Sequence, residues 1–178
     1  MKNIITILLL LASSHLFAQK QVVPKQQRME FEPKEAISCL NMPYIRIKNI
    51  IAEKKYSFGK RSENIYTFVK VEGGIRYSLS IAIENSTIKN VSTQEIYLAY
   101  SEVLKKLASE GFVFKEGSQI AFPSGEKIDF GSPPQRPISS SMLIFINPQK
   151  RYACYVICPM DVETSKLISI NYSTHYDN

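Results

Sequence analysis

The run Lys54-Lys55-Tyr56-Ser57-Phe58-Gly59-Lys60-Arg61 interleaves four cations with two aromatic rings. Ammonium and guanidinium groups attract an anionic polymer, and aromatic faces between them stack on its rings, so the pattern suits an acidic glycan or a nucleic acid. The same composition also suits a solvated loop leading into the next element. Arg136, in a proline-rich stretch further along, would extend a basic surface if the fold brings the two together. The predicted binding set is therefore Lys54, Lys55, Tyr56, Phe58, Lys60, Arg61 and Arg136.

Other chemistry is thinly supplied. The cysteines are Cys39, Cys154 and Cys158. The last two fall on one predicted strand, where four residues at ~3.3 Å each set them ~13 Å apart, beyond the ~7 Å between Cα atoms that a disulfide spans. Any disulfide then joins Cys39 to Cys154 or Cys158, and buried free thiols are the alternative. A Cys-His dyad would need His175 near the end of the chain, and thiols among apolar strand neighbours are usually inert. Ser57-Phe58-Gly59-Lys60 and Ser124-Gly125-Glu126-Lys127 match S-x-x-K without the companion S-D-N and K-T-G elements. Glu84 and Glu126 are a conceivable carboxylate pair for a glycosidase, but nothing in the sequence selects them. The sequence predicts no catalytic group, no metal site and no cofactor.

Lys2, an apolar run from Ile4 to Ala12, and Ala18 ahead of the polar Gln19 have the layout of a secretory signal peptide over residues 1–18. The apolar run is about half of the ~20 residues that a membrane span needs. The expected product is exported, periplasmic or secreted, with no transmembrane segment after cleavage. Removing Lys2 lowers the formal charge from +6 to +5, which favours a protein surface or an anionic polymer such as an acidic glycan as partner. Export argues against nucleic acid. Residues 19–34, rich in Gln and Lys with two prolines, read as a flexible leader, and 35–178 as a single domain.

Within that domain, Tyr44 to Lys48 alternates like a strand, with a helix through Ala52 as competitor. The clearest element is a hairpin from Ile65 to Glu84 turning at Gly73-Gly74, which pairs Glu72 with Ile75, Phe68 with Leu79 and Tyr66 with Ile81. A helix is predicted next. Ser92 and Glu95 form its capping box, Ile96, Tyr97, Tyr100, Val103, Leu104 and Leu107 its buried stripe, and Gly111 its end. Short strands are expected at 112–115, 119–122 and 127–130, and a loop over 131–141. A second hairpin follows, from 142–146 to 151–158 around Asn147-Pro148-Gln149-Lys150. Its second strand is apolar on both faces and so should be central. The tail from Asp161 reads as a short turn and then a strand through Tyr172.

The predicted class is α+β, an antiparallel sheet of roughly five to seven strands with two hairpins and one main helix packed on it. The order of hairpin, helix and further antiparallel strands is similar to the PsbP-like sandwich fold, although no motif of that family is present. The expected function is a non-catalytic binding or interaction protein, of the inhibitor or immunity type among others. A small exported hydrolase using a cysteine or carboxylate and a structural envelope component are the alternatives.

Overall fold

The computed structural model describes residues 29–121 and 123–174. The expected signal peptide, residues 19–28 of the leader, and His175 lie outside the described residues. Packed structure starts before Glu35. Met29 and Phe31 are in the core, and Pro33 is the first residue of helix α1 (Pro33–Cys39). Proline suits that position because its fixed φ fits the first turn and its missing N–H is not needed there. Glu32 and Glu35 form a reciprocal capping box around the start of the helix.

Tyr44 to Lys48 is not a strand: helix α2 spans Tyr44–Glu53. Ile47 and Ile51, four residues apart, are its buried positions, so helical spacing prevails over the short alternation.

The strands are β1 (Ser57–Ser62), β2 (Ile65–Glu72), β3 (Ile75–Glu84), β4 (Thr87–Ile96), β5 (Val113–Ile120), β6 (Lys127–Phe130), β7 (Ser141–Asn147), β8 (Tyr152–Ile157) and β9 (Leu167–Ser173). They form one nine-stranded antiparallel sheet in the order β1-β2-β3-β4-β9-β8-β7-β5-β6, larger than the five to seven strands expected. The β2–β3 hairpin has the expected register, with Glu72 opposite Ile75, Phe68 opposite Leu79 and Tyr66 opposite Ile81. Gly73 and Gly74 both adopt positive φ, as its tight turn requires.

The main helix begins later than its capping signature suggests. Ser92, Thr93 and Glu95 lie in β4, then a 3-10 turn covers Tyr97–Ala99, and helix α3 covers Tyr100–Ser109. The backbone from Asn90 to Ile96 pairs residue by residue with β9, and this ladder overrides a local capping preference. Tyr100, Val103 and Leu107 are buried as the stripe predicts, and Gly111 follows the helix at φ +83°. Lys106 reaches Glu32 at 3.6 Å.

In the second hairpin, the Asn147 side chain accepts from Lys150 N at 2.9 Å and donates to Glu110 O at 2.8 Å. This ties the turn to the end of α3. The β8 strand is interior, between β9 and β7. Asp161 caps helix α4 (Val162–Ser165), its side chain accepting from Thr164 N, and β9 follows.

Buried residues of α1, α2 and α3 share one core with Leu79, Ile81, Val91, Ile170, Val156 and Leu143. Side chains alternate along a strand, so those residues mark the inner face of the sheet, beneath the helices. The opposite, outer face carries half-buried residues such as Ser80, Ser92, Asn171 and Tyr155.

Candidate functional site

The β1–β2 pairing aims Phe58 and Arg61 at the same face as Phe68 and Tyr66. Phe58 meets Phe68 edge-on at 5.9 Å and is 61% exposed. The Arg61 guanidinium lies 4.9 Å from the Tyr66 ring centre, and Tyr66 stacks on Tyr44 at 4.9 Å with 28° between the planes. Lys48, one helical turn after Tyr44 on α2, places its ammonium 5.5 Å from the Tyr44 ring. Arg61, Tyr66, Tyr44 and Lys48 thus form a continuous surface ladder, with exposed cations at its ends and half-buried rings between them. Burial, with some help from Tyr66, raises the Tyr44 hydroxyl above its ordinary value.

The basic run is divided by its own fold. Lys54 turns inward, donating to Glu30 O at 2.8 Å and pairing with Glu35 at 2.9 Å. Tyr56 is a core residue at 6% exposure, so it is no binding ring. A bulge between Phe58 and Lys60 sets Lys60 opposite Thr67, on the outer face and away from Arg61. Lys55 is exposed. Arg136 does not join them: its loop is tied to β5 by Gln119 Nε2 on Ser139 O and to α3 by Tyr100 Oη on Pro134 O, far across the sheet from β1. The rings that complete the ladder, Tyr44 and Tyr66, and its second cation, Lys48, were not in the predicted set. Tyr44 and Lys48 at i,i+4 were legible as a helical pair once α2 is read as a helix.

A second constellation surrounds Glu95. It is 1% exposed, and its carboxylate accepts Glu30 N and Phe31 N, each at 2.7 Å. Burial pushes its carboxyl up to about 7 against the pull of those two N–H groups. An open cleft of ≈ 690 Å³ lies alongside, bordered by Lys54, Lys70, Glu30 and Glu72. Lys70 bridges Glu30 at 2.7 Å and Glu72 at 2.6 Å. A carboxyl near 7 beside a cleft is the signature of a general base, but both of its oxygens already hold backbone amides. Its chemistry is that of an anchor for the segment entering α1. The capping spacing of Ser92 and Glu95 hides this role, because the partners of Glu95 lie 64 and 65 residues away, too far for any local pattern to show.

No family model, curated protein or solved structure matches this chain.

Among the described residues, no group of three or more His, Cys, Asp or Glu is placed to hold a metal. Cys39, Cys154 and Cys158 are buried free thiols, and burial raises all three above their ordinary value. Glu84 ends β3, and Glu126 lies in the exposed turn ahead of β6. No helix among the described residues is long and apolar enough to cross a membrane.

Proposed function

We propose that the protein is an exported binding module for an anionic polymer, of the acidic glycan class, and that Arg61, Tyr66, Tyr44 and Lys48 with Phe58 form its contact surface. The ladder carries this reading: two exposed cations are joined through two stacked tyrosines over a run of contacts each between 4.9 and 5.5 Å. Arg61 and Lys48 meet carboxylate or sulfate groups, while exposed Phe58 covers the apolar face of a sugar ring and the stacked tyrosines, their faces already taken by each other and by the two cations, hold those cations in place. A hydrolase centred on Glu95 is less well supported, because the carboxylate is spent on the Glu30 and Phe31 amides.

Calorimetric titration with a defined anionic polysaccharide, polygalacturonate for example, tests this. Binding should weaken progressively as salt rises and the screening length shortens through about 8 Å at physiological ionic strength. The Lys48→Gln/Arg61→Gln double variant should lose at least about tenfold in affinity, with stability changed by less than about 0.5 kcal/mol because both are exposed. Full affinity in that variant would remove the ladder as the site.

A further inference from the structure

We propose that the outer face of the sheet docks a second copy of this chain in a two-fold, face-to-face dimer. Cross-strand pairing aligns one row across eight strands: Lys60, Thr67, Ser80 and Ser92 on β1 to β4, then Asn171, Tyr155, Ile144 and Glu116 on β9, β8, β7 and β5. A two-fold axis parallel to the strands, midway between the facing sheets, reverses strand order and lays each row on its own reverse. Lys60 of one copy then meets Glu116 of the other, and Ser92 meets Asn171. Both charged residues are exposed, Lys60 on the edge strand β1 and Glu116 on β5, one strand in from the β6 edge.

The neighbouring row repeats the match. It runs Ser62, Ile65, Ala82, Asn90, then Ser173, Ala153, Ile146, Val113, so that reversal sets Ile65 on Ile146 and Asn90 on Ser173, with Ser62 opposite Val113 and Ala82 over Ala153, which is already fully buried. Apolar Ile65 meets apolar Ile146, and polar meets polar at the centre. The self-match lies in the opposite charges at the two ends of the first row and the polar pairs at the β4–β9 seam; between them the reversal sets Thr67 on Ile144 and Ser80 on Tyr155. The buried faces of α1, α2 and α3 all join the core on the inner side, so these helices leave the outer face clear.

The dimensions suit a stable pair. Seven strand spacings of ~4.8 Å and strands of about seven residues give a footprint of roughly 800 Å², the area per partner of a standard interface. The aromatic ladder lies on the inner side, so the dimer displays two ladders and engages a repeating polymer at both. That benefit rests on the function proposed above; the dimer itself does not.

Sedimentation equilibrium of the purified protein tests the proposal. The wild type is expected to be a dimer at micromolar concentration. Lys60→Glu and Glu116→Lys should each raise the dimer dissociation constant about tenfold or more, since each places like charges together at two symmetric contacts. The Lys60→Glu/Glu116→Lys double variant should return to within about threefold of wild type, and Ile144→Asp should be monomeric with an unchanged circular dichroism spectrum. A monomeric wild type, a dimer indifferent to either reversal, or failure of the double variant to recover would each overturn the proposal. None of these results depends on whether polysaccharide binds.

Discussion

Glu95 Oε1 accepts the backbone N–H of Phe31 at 2.7 Å, joining residues 64 apart in sequence. The same carboxylate takes the N–H of Glu30, so two successive amides that would otherwise need a neighbouring strand are satisfied by one side chain. This is how the segment ahead of α1 is held down over the end of β4.

Stability should fall with rising pH because of this residue. Burial, opposed by the two amides, raises its carboxyl from 4.5 to about 7, so between those values the folded protein holds a proton that the unfolded chain has released. Its contribution is complete below the unfolded value and is lost as pH climbs through about 7. Lys70 lowers Glu72, which acts with the opposite sign and only in the acid range. Urea titrations should show the unfolding free energy falling by on the order of 3 kcal/mol between about pH 4.5 and pH 8. Glu95→Gln should remove most of that slope, and an unchanged slope would locate the titration elsewhere.

Phe31 is wholly buried and sits directly on the anchored amide. Phe31→Ala should cost about 3 to 5 kcal/mol, the range for emptying an aromatic core position. Denaturant midpoints measure this, and a loss under about 1 kcal/mol would mean that the entering segment is only loosely packed.

Gly117 faces Leu143 across the β5–β7 pair. An added Cβ would lie 2.6 Å from Leu143 Cδ2 and 3.2 Å from Met142 O. Gly117→Ala should therefore destabilise by about 1 to 3 kcal/mol through overpacking. Leu143 is itself core, so shortening it as well should not restore the wild-type value.

The thiols should be silent in the native protein. Cys154 is fully buried, and Cys39 and Cys158 are 2% and 3% exposed. Thiol titration should count none of the three before unfolding and three after it. Peptide mapping under oxidising conditions should recover no Cys154–Cys158 link, since Cys154 lies within β8 and Cys158 follows its end, an extended spacing too long for the bond.

How far the sequence could be read depended on the range of the contact involved. The β2–β3 hairpin was legible to the residue, because Gly73-Gly74 dictates the turn and the turn dictates the register. The buried stripe of α3 was legible too, but its start was not: Ser92 and Glu95 have capping spacing while also alternating within β4, and the distant β9 decides between the two. The basic run was visible as composition, yet a bulge after Phe58 and the inward turn of Lys54 and Tyr56 break it up. Tyr44 and Tyr66 come together only when α2 packs beside β2, and one sequence gives no sign of that contact.

The position of β9 has a kinetic consequence. Among the described residues it is the last strand in sequence, yet it lies fifth of nine in the sheet and joins β4 on one side to β8 on the other. Until residues 167–173 are in place, β1 to β4 and β5 to β8 form two separate ribbons, each with a raw edge at the seam. Joining them requires contacts between distant parts of the chain, which makes folding slow and late. A growing chain therefore cannot close the sheet until residues 167–173 have emerged, and during that interval the two open edges are where it is most prone to pair with the wrong strand.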